Sequence, residues 1–282
     1  MGFNVKRTFS FVFLTTLAFA GNVGATEIMP WITPTGVGGV AVDVYYASSA
    51  REVKFTVESA TVSWQDEDFM AGRQFFDSVD IPVSYVTASP IVLMLSLRPG
   101  LGFSPYVKMG ILNSEIRQNV QGGESKWTGG YNGYVCGAGF RYVLSGDGRI
   151  REQVFLDAGL TRYFSKFNTY TSPASQETTV HMDIGIWEFH YSLIVMKQVN
   201  LFCTSDKKPS VFLSPYGGAN MTMDWGVWKD NIGTTRLEGN ASAPHLLAGL
   251  AISVKSVFNA KVELSLLGEP SISAGAGIEI GL

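Results

Sequence analysis

The last twelve residues, Ser271-Ile-Ser-Ala-Gly-Ala-Gly-Ile-Glu-Ile-Gly-Leu282, divide into two sets by parity. Ile272, Ala274, Ala276, Ile278, Ile280 and Leu282 fall on one side; Ser271, Ser273, Gly275, Gly277, Glu279 and Gly281 fall on the other. Successive side chains of an extended chain point in opposite directions, so the stretch reads as a strand with one apolar face and one small or polar face. The period recurs upstream. Val262, Leu264 and Leu266 share a face in Lys261–Leu266. Leu246, Ala248, Leu250, Ile252 and Val254 oppose His245, Gly249, Ser253 and Lys255. Tyr134, Cys136, Ala138, Phe140, Tyr142 and Leu144 oppose Gly137, Gly139 and Arg141.

Ten such segments follow from the pattern, near 37–47, 79–98, 104–113, 132–144, 152–165, 180–197, 210–223, 244–256, 259–267 and 271–281. Long and short connections alternate between them through most of the chain. That asymmetry, with an even strand count, separates a closed membrane barrel from a soluble sandwich. The expectation is an all-β, single transmembrane antiparallel up-and-down barrel with long external loops and short periplasmic turns. Val53, Phe55 and Val57 also alternate, so a further hairpin in the first long connection would raise the count to twelve.

Composition agrees. The chain has 282 residues, 46% of them hydrophobic and only 16% charged, which excludes a disordered protein. No stretch after the N-terminus holds eighteen consecutive apolar residues, so no transmembrane helix is expected. A formal net charge of −3 without a Lys/Arg cluster argues against nucleic acid as a partner. Two cysteines are too few for a disulfide scaffold or a cysteine-based zinc site. Lys6 and Arg7, the apolar run from Phe9 to Ala20, and small residues before Ala20 and Ala25 have the layout of a secretory signal peptide. Cleavage after Ala25 is favoured over Ala20, which makes 1–25 the signal peptide and 26–282 the barrel domain.

Four segments carry a resemblance: Ser214-Pro-Tyr-Gly-Gly218, the strand Gly133–Leu144, the strand Leu156–Phe164 and the closing stretch Asn259–Leu282. Together they resemble small bacterial outer-membrane β-barrel domain proteins across nearly all of the mature chain. The resemblance implies a bacterial outer-membrane location, outer-membrane lipids as surroundings, and the barrel-assembly machinery as a partner. Gly277, Ile280 and Leu282 match the spacing of the signal which that machinery reads, with Leu where such families often end in an aromatic residue.

If the apolar faces meet lipid, the opposite faces line the interior. This assigns Asp43, Arg98, Lys108, Arg141, Asp157, Glu188, Lys261, Glu263 and Glu279 inward, five acids against four bases, together with His190. Charges in a narrow interior must be paired or hydrated. Mixed signs therefore predict a cross-linked plug, since an open aqueous channel takes about sixteen strands. Glu188, His190 and Ser192 share one strand face and contain the ingredients of a hydrolase. The segment Phe189–Ser192 also resembles the His-x-Ser segment of outer-membrane lipid A deacylases. However, Leu193 stands where Asn is expected and no suitable Glu follows, so no catalytic residue is assigned. His181, His190 and His245 lack metal-ligand spacing, and no metal or cofactor is expected. Tyr45, Tyr46, Tyr106, Tyr142, Tyr163, Phe164 and Tyr216 fall towards strand ends as interfacial girdles. Trp64, Trp127, Trp225 and Trp228 fall in external loops, where Trp127, Trp225 and Trp228 are contact candidates for an extracellular ligand.

The resulting expectation is a non-enzymatic barrel with a structural or surface-interaction role. A narrow channel for ions or small hydrophilic solutes is the alternative, and a lipid-modifying enzyme comes third.

Overall fold

The computed structural model describes residues 39–66, 69–98, 102–120, 123–130, 133–145, 152–172, 175–203, 209–230, 236–254, 257–265 and 271–281. The signal-peptide segment, the cleavage sites and Leu282 lie outside them. Twelve strands occur among the described residues: β1 (Gly39–Asp66), β2 (Phe69–Arg98), β3 (Phe103–Val120), β4 (Gly123–Thr128), β5 (Gly133–Ser145), β6 (Glu152–Ser172), β7 (Ser175–Lys197), β8 (Val199–Cys203), β9 (Pro209–Asp230), β10 (Arg236–Val254), β11 (Phe258–Ser265) and β12 (Ser271–Gly281).

Ten of these strands close an all-antiparallel barrel. Neighbours in sequence pair with each other, and β1 pairs with both β2 and β12, leaving no free edge. β4 lies between β3 and β6 above β5, so it prolongs β5 past an interruption. β8 likewise prolongs β7 along β9. The interruption after β4 contains Gly130, whose φ of 60° is a left-handed conformation suited to glycine. Closure matters physically because the ladders of the described wall run round without an edge, so backbone N–H and C=O groups pair within the sheet, as a hydrocarbon surrounding requires.

The long connections are themselves strand. β1 and β2 stay paired from Gly39↔Arg98 to Asp66↔Phe69, β6 and β7 to Ser172↔Ser175, and β9 and β10 to Lys229↔Arg236. The alternation at Val53, Phe55 and Val57 therefore belongs to the first ribbon, and the barrel has ten strands. These ribbons project from the end opposite the chain's described termini.

Parity sorts the side chains as the alternation requires. Leu93, Leu95 and Leu97 on β2, Val107 and Met109 on β3, and Tyr191, Leu193 and Val195 on β7 are exposed, while the residues between them are buried. On β7 the outward apolar run from Trp187 to Val195 covers about 26 Å along the strand at the usual rise.

The buried face is layered. Reading along β7 from its C-terminal end, the inner residues are Met196 and Ile194, then Ser192, His190 and Glu188, then Ile186, Ile184 and Met182. The first pair joins Phe155 and Leu247 in one apolar cluster. The last three join Ile116 and Phe167 in another, against which Trp127 and Tyr163 pack. A third cluster of Tyr45, Val92, Met94, Tyr106, Leu112 and Val135 fills the β1–β5 side. The polar layer thus lies between apolar ones.

Inner glycines make that filling possible. A Cβ on Gly249 would fall inside the Tyr216 ring, and one on Gly275 would press against the Tyr45 side chain. One on Gly137 would come within 2.6 Å of Lys108 Cε. Each glycine gives up its own side-chain volume to a large neighbour lying across it. Overpacking a filled core costs about 1–3 kcal/mol, so Gly249→Val should lower the unfolding midpoint of the refolded barrel. Because the three nearest atoms to that position all belong to Tyr216, the penalty should shrink in a Tyr216→Ala background. Equal penalties in both backgrounds, measured by urea titration of the gel-mobility shift, would contradict the packing assignment.

Candidate functional site

The polar layer is organised by rows of register partners that run around the wall. One row is Tyr106 (β3), Gly139 (β5), Gly159 (β6) and His190 (β7). Three strand spacings separate its ends by about 14 Å, a gap that a tyrosine and a histidine can close only if nothing stands between them. Gly139 and Gly159 leave that gap open: a Cβ on Gly139 would collide with the Tyr106 ring, and one on Gly159 would come within 2.6 Å of His190 Cε1. The Tyr106 hydroxyl meets His190 Nε2 at 3.2 Å.

Both converge on Asp157, one row below. Its Oδ1 accepts from the Tyr106 hydroxyl at 3.1 Å and lies 3.0 Å from His190 Nε2. Its Oδ2 accepts from Arg141 at 3.0 Å, and Arg141 is its own register partner on β5. The histidine tautomer with its proton on Nε2 gives Asp157 three donors. The Arg141 guanidinium also lies 5.9 Å from the centre of the Phe155 ring, which floors the layer. A carboxylate that is almost fully buried keeps its charge at acceptable cost only with partners of this kind.

A second arrangement repeats the device on the other side of the barrel. Tyr216 (β9), Gly249 (β10) and Glu263 (β11) are consecutive register partners. Tyr216 lies across the glycine and donates to Glu263 Oε2 at 2.9 Å. Asp43 lies over Gly277, its register partner on β12. Glu263 and Glu188 are fully enclosed, and Lys108, Lys261 and Glu279 also lie on the buried face. Tyr163 donates to Glu188 at 3.4 Å, and Thr222 meets His245 Nε2 at 3.0 Å. Arg98 ends β2, and its side chain lies outside the described residues.

Among the described contacts, His190 is engaged by Asp157 and Tyr106 rather than by Ser192. The nitrogen turned to them is Nε2, and these three side chains and Ser192 are all buried. Among the described residues no group of three or more His, Cys, Asp or Glu is placed to hold a metal ion.

Four aromatic residues assigned to girdles by position in sequence point inward instead. Tyr45 and Tyr106 belong to the buried clusters, and Tyr163 and Tyr216 pack against them. Parity carried the signal: Tyr106 shares a face with Lys108, and Tyr45 shares one with Asp43. The tryptophans differ too. Trp127 lies in β4, packs on the apolar cluster above the polar layer and meets the Tyr170 ring in a tilted contact at 4.8 Å. Trp225 lies in β9 and faces outward beside its register partner Trp187, with exposures of 49% and 42%, as interfacial aromatics would. Trp228 lies further along β9, and its side chain is outside the described residues. The reason is common to all of them: the strands continue through the expected loops. Gly277 and Ile280 lie in β12, with Ile280 facing outward. Cys136 is exposed and free.

Removing one partner of a buried ion pair costs about 3–5 kcal/mol, whereas replacing both by apolar groups is often neutral. Asp157→Asn should therefore destabilise the barrel strongly, and Asp157→Leu combined with Arg141→Met should recover much of the loss in urea unfolding. A double variant as unstable as the sum of its singles would contradict the assignment of Arg141 and Asp157 as a coupled pair.

No protein-family model matches the chain, and no curated protein matches it. Among solved structures, the chain is similar to the translocator domain of the autotransporter NalP from Neisseria meningitidis, at 12% identity, 86% coverage of this chain, 88% of that one, and a TM-score of 0.44. It is also similar to the transport unit of the autotransporter AIDA-I from Escherichia coli, at 10% identity, 96% and 97% coverage, and a TM-score of 0.37. A third is the Ralstonia pickettii toluene transporter TbuX, at 8% identity, 93% and 96% coverage, and a TM-score of 0.32.

Proposed function

We propose that this chain is a non-enzymatic outer-membrane β-barrel, a sealed scaffold that holds its projecting ribbons at the cell surface. The outward belt supports the membrane setting. Exposed Leu, Val, Ile and Met side chains encircle the wall, a surface that water penalises and hydrocarbon does not. Aromatic pairs flank it: Phe103 with Phe140 at 5.6 Å and Tyr134 with Phe164 at 5.0 Å.

The observation that carries the reading is the layered burial of the interior. Phe155 and Ile194 below the polar layer, and Ile116 and Phe167 above it, are each at most 1% exposed. A solvated passage would leave its wall accessible. Apolar side chains closing both ends of a charged layer form a plug, and they also deny a substrate access to His190 and Ser192. The work then falls to the ribbons, because segments carried on a rigid frame can vary and bind without endangering the fold. Their partner is an extracellular ligand. The competing reading is a narrow channel, which the charges at Lys108, Arg141 and Glu263 favour.

Planar-bilayer recording of the refolded protein separates the two readings. The scaffold predicts a silent bilayer from protein shown by its spectrum to be folded. Stable unitary steps whose reversal potential moves in Lys108→Glu or Glu263→Lys would establish the channel instead. The scaffold reading also makes the ribbon ends dispensable for folding. Replacing residues 226–239 by an Asn-Gly turn leaves Trp225 opposite its partner Asn240, and the gel-mobility shift of the folded barrel should survive. Loss of that shift would tie the ribbon to the barrel's own stability.

A further inference from the structure

At the upper rim of the outward belt, β6 and β7 present a pair of cations beside an open notch. The outward residues of β6 run Leu160, Arg162, Phe164, Lys166, and those of β7 run Trp187, Gly185, Asp183. Arg162 and Trp187 are register partners, with the guanidinium 5.2 Å from the ring centre. Lys166 Nζ lies 5.9 Å from the centre of the Phe164 ring. Between Trp187 and Asp183 the wall drops to Gly185, the register partner of Phe164, where a Cβ would meet nothing within 4 Å. The notch therefore has an aromatic side, a bare floor and two cationic flanks.

Among the described residues neither cation is neutralised by an ion pair. Among the described residues Arg162 makes no ion pair, and its Nε is buried without a hydrogen-bond partner. Lys166 faces Asp183 across the ladder without coming within ion-pair distance of it. An arginine on a hydrocarbon-facing wall is costly unless it lies at the interface or meets an anion. The notch lies at that level: apolar Tyr191, Leu193 and Val195 follow below Trp187, and Asp183 and His181 follow above Gly185.

We infer that this notch docks a phosphate-bearing lipid of the outer leaflet. Arg162 and Lys166 take the phosphate, and Trp187 and Phe164 take the apolar body next to it. A guanidinium binds phosphate through parallel N–H bonds, and ring contact leaves its edge free to do so. A free anion would use the cations but leave both rings idle, which favours an amphiphile as occupant. The inference rests on the outer-membrane reading.

The test uses the full barrel in phosphatidylcholine vesicles containing a minor fraction of a sugar-phosphorylated glycolipid or its dephosphorylated form. Native mass spectrometry after gentle extraction reads the lipid retained. The wild type should retain the phosphorylated form preferentially, and Arg162→Gln with Lys166→Gln should reduce retention about tenfold, as loss of charged hydrogen bonds implies. Gly185→Leu fills open space, so it should fold normally and still displace the lipid with both cations present. Insertion into plain phosphatidylcholine is scored separately, and failure there would count against the membrane reading itself. Three results obtained with inserted protein overturn the docking site: equal retention of both glycolipids, retention unchanged in either variant, or displacement by inorganic phosphate alone.

Discussion

Two large side chains on strands two or three apart can touch inside a barrel only if the residues between them are nearly absent. Tyr106 and His190 meet this condition across Gly139 and Gly159, and Tyr216 and Glu263 meet it across Gly249. The rest of the interior depends on these crossings. They bring donors from strands up to three away to Asp157 and Glu263, and so make a layer of buried charge tolerable. A larger residue at the crossed positions would push the aromatic rings back and leave the acids to desolvation alone. The glycines are therefore a means of transferring volume from one wall to another.

On the sealed-scaffold reading proposed above, the same filling is what keeps a barrel of ten strands from being a pore. Eight strands enclose just enough room for side chains, and many more are needed before water forms a column. At ten strands the interior must be packed with large groups, and phenol rings reaching inward supply much of that volume. Apolar clusters at both ends of the polar layer keep water away from the ion pair of Arg141 and Asp157, where the lower dielectric strengthens it. Outside, the parity is inverted: apolar groups face hydrocarbon, and the closed ladder leaves no backbone edge to solvate.

Much of this was legible in the chain. A strict period of two over Ser271–Gly281 and its counterparts gave the strands, the alternation of connection lengths gave closure, and parity placed Asp157, His190 and Glu263 on one side of the wall. Register was not legible, because each ladder is set by pairing that no single strand reveals. Gly137 and Gly139 could be read as small inward residues, but not as the floor beneath Lys108 and Tyr106. Tyr106 and Tyr216 resembled girdle residues because proximity to a strand end was weighed above parity. Trp127 and Trp225 resembled loop residues because polar residues around them ended the apolar alternation before the pairing itself ended. Past the membrane belt a ribbon has no lipid to face, so its pattern fades while its hydrogen bonds continue.

The central claim is that the interior is a packed core and not a water-lined passage. The most direct measurement is the reactivity of a cysteine placed at Ser192, which is 2% exposed on the inner face, with Cys136 and Cys203 replaced by serine. The folded barrel in vesicles should resist a small membrane-impermeant thiol reagent from either side, and the unfolded protein should react freely. Rapid labelling of the folded barrel from the aqueous phase would contradict the account.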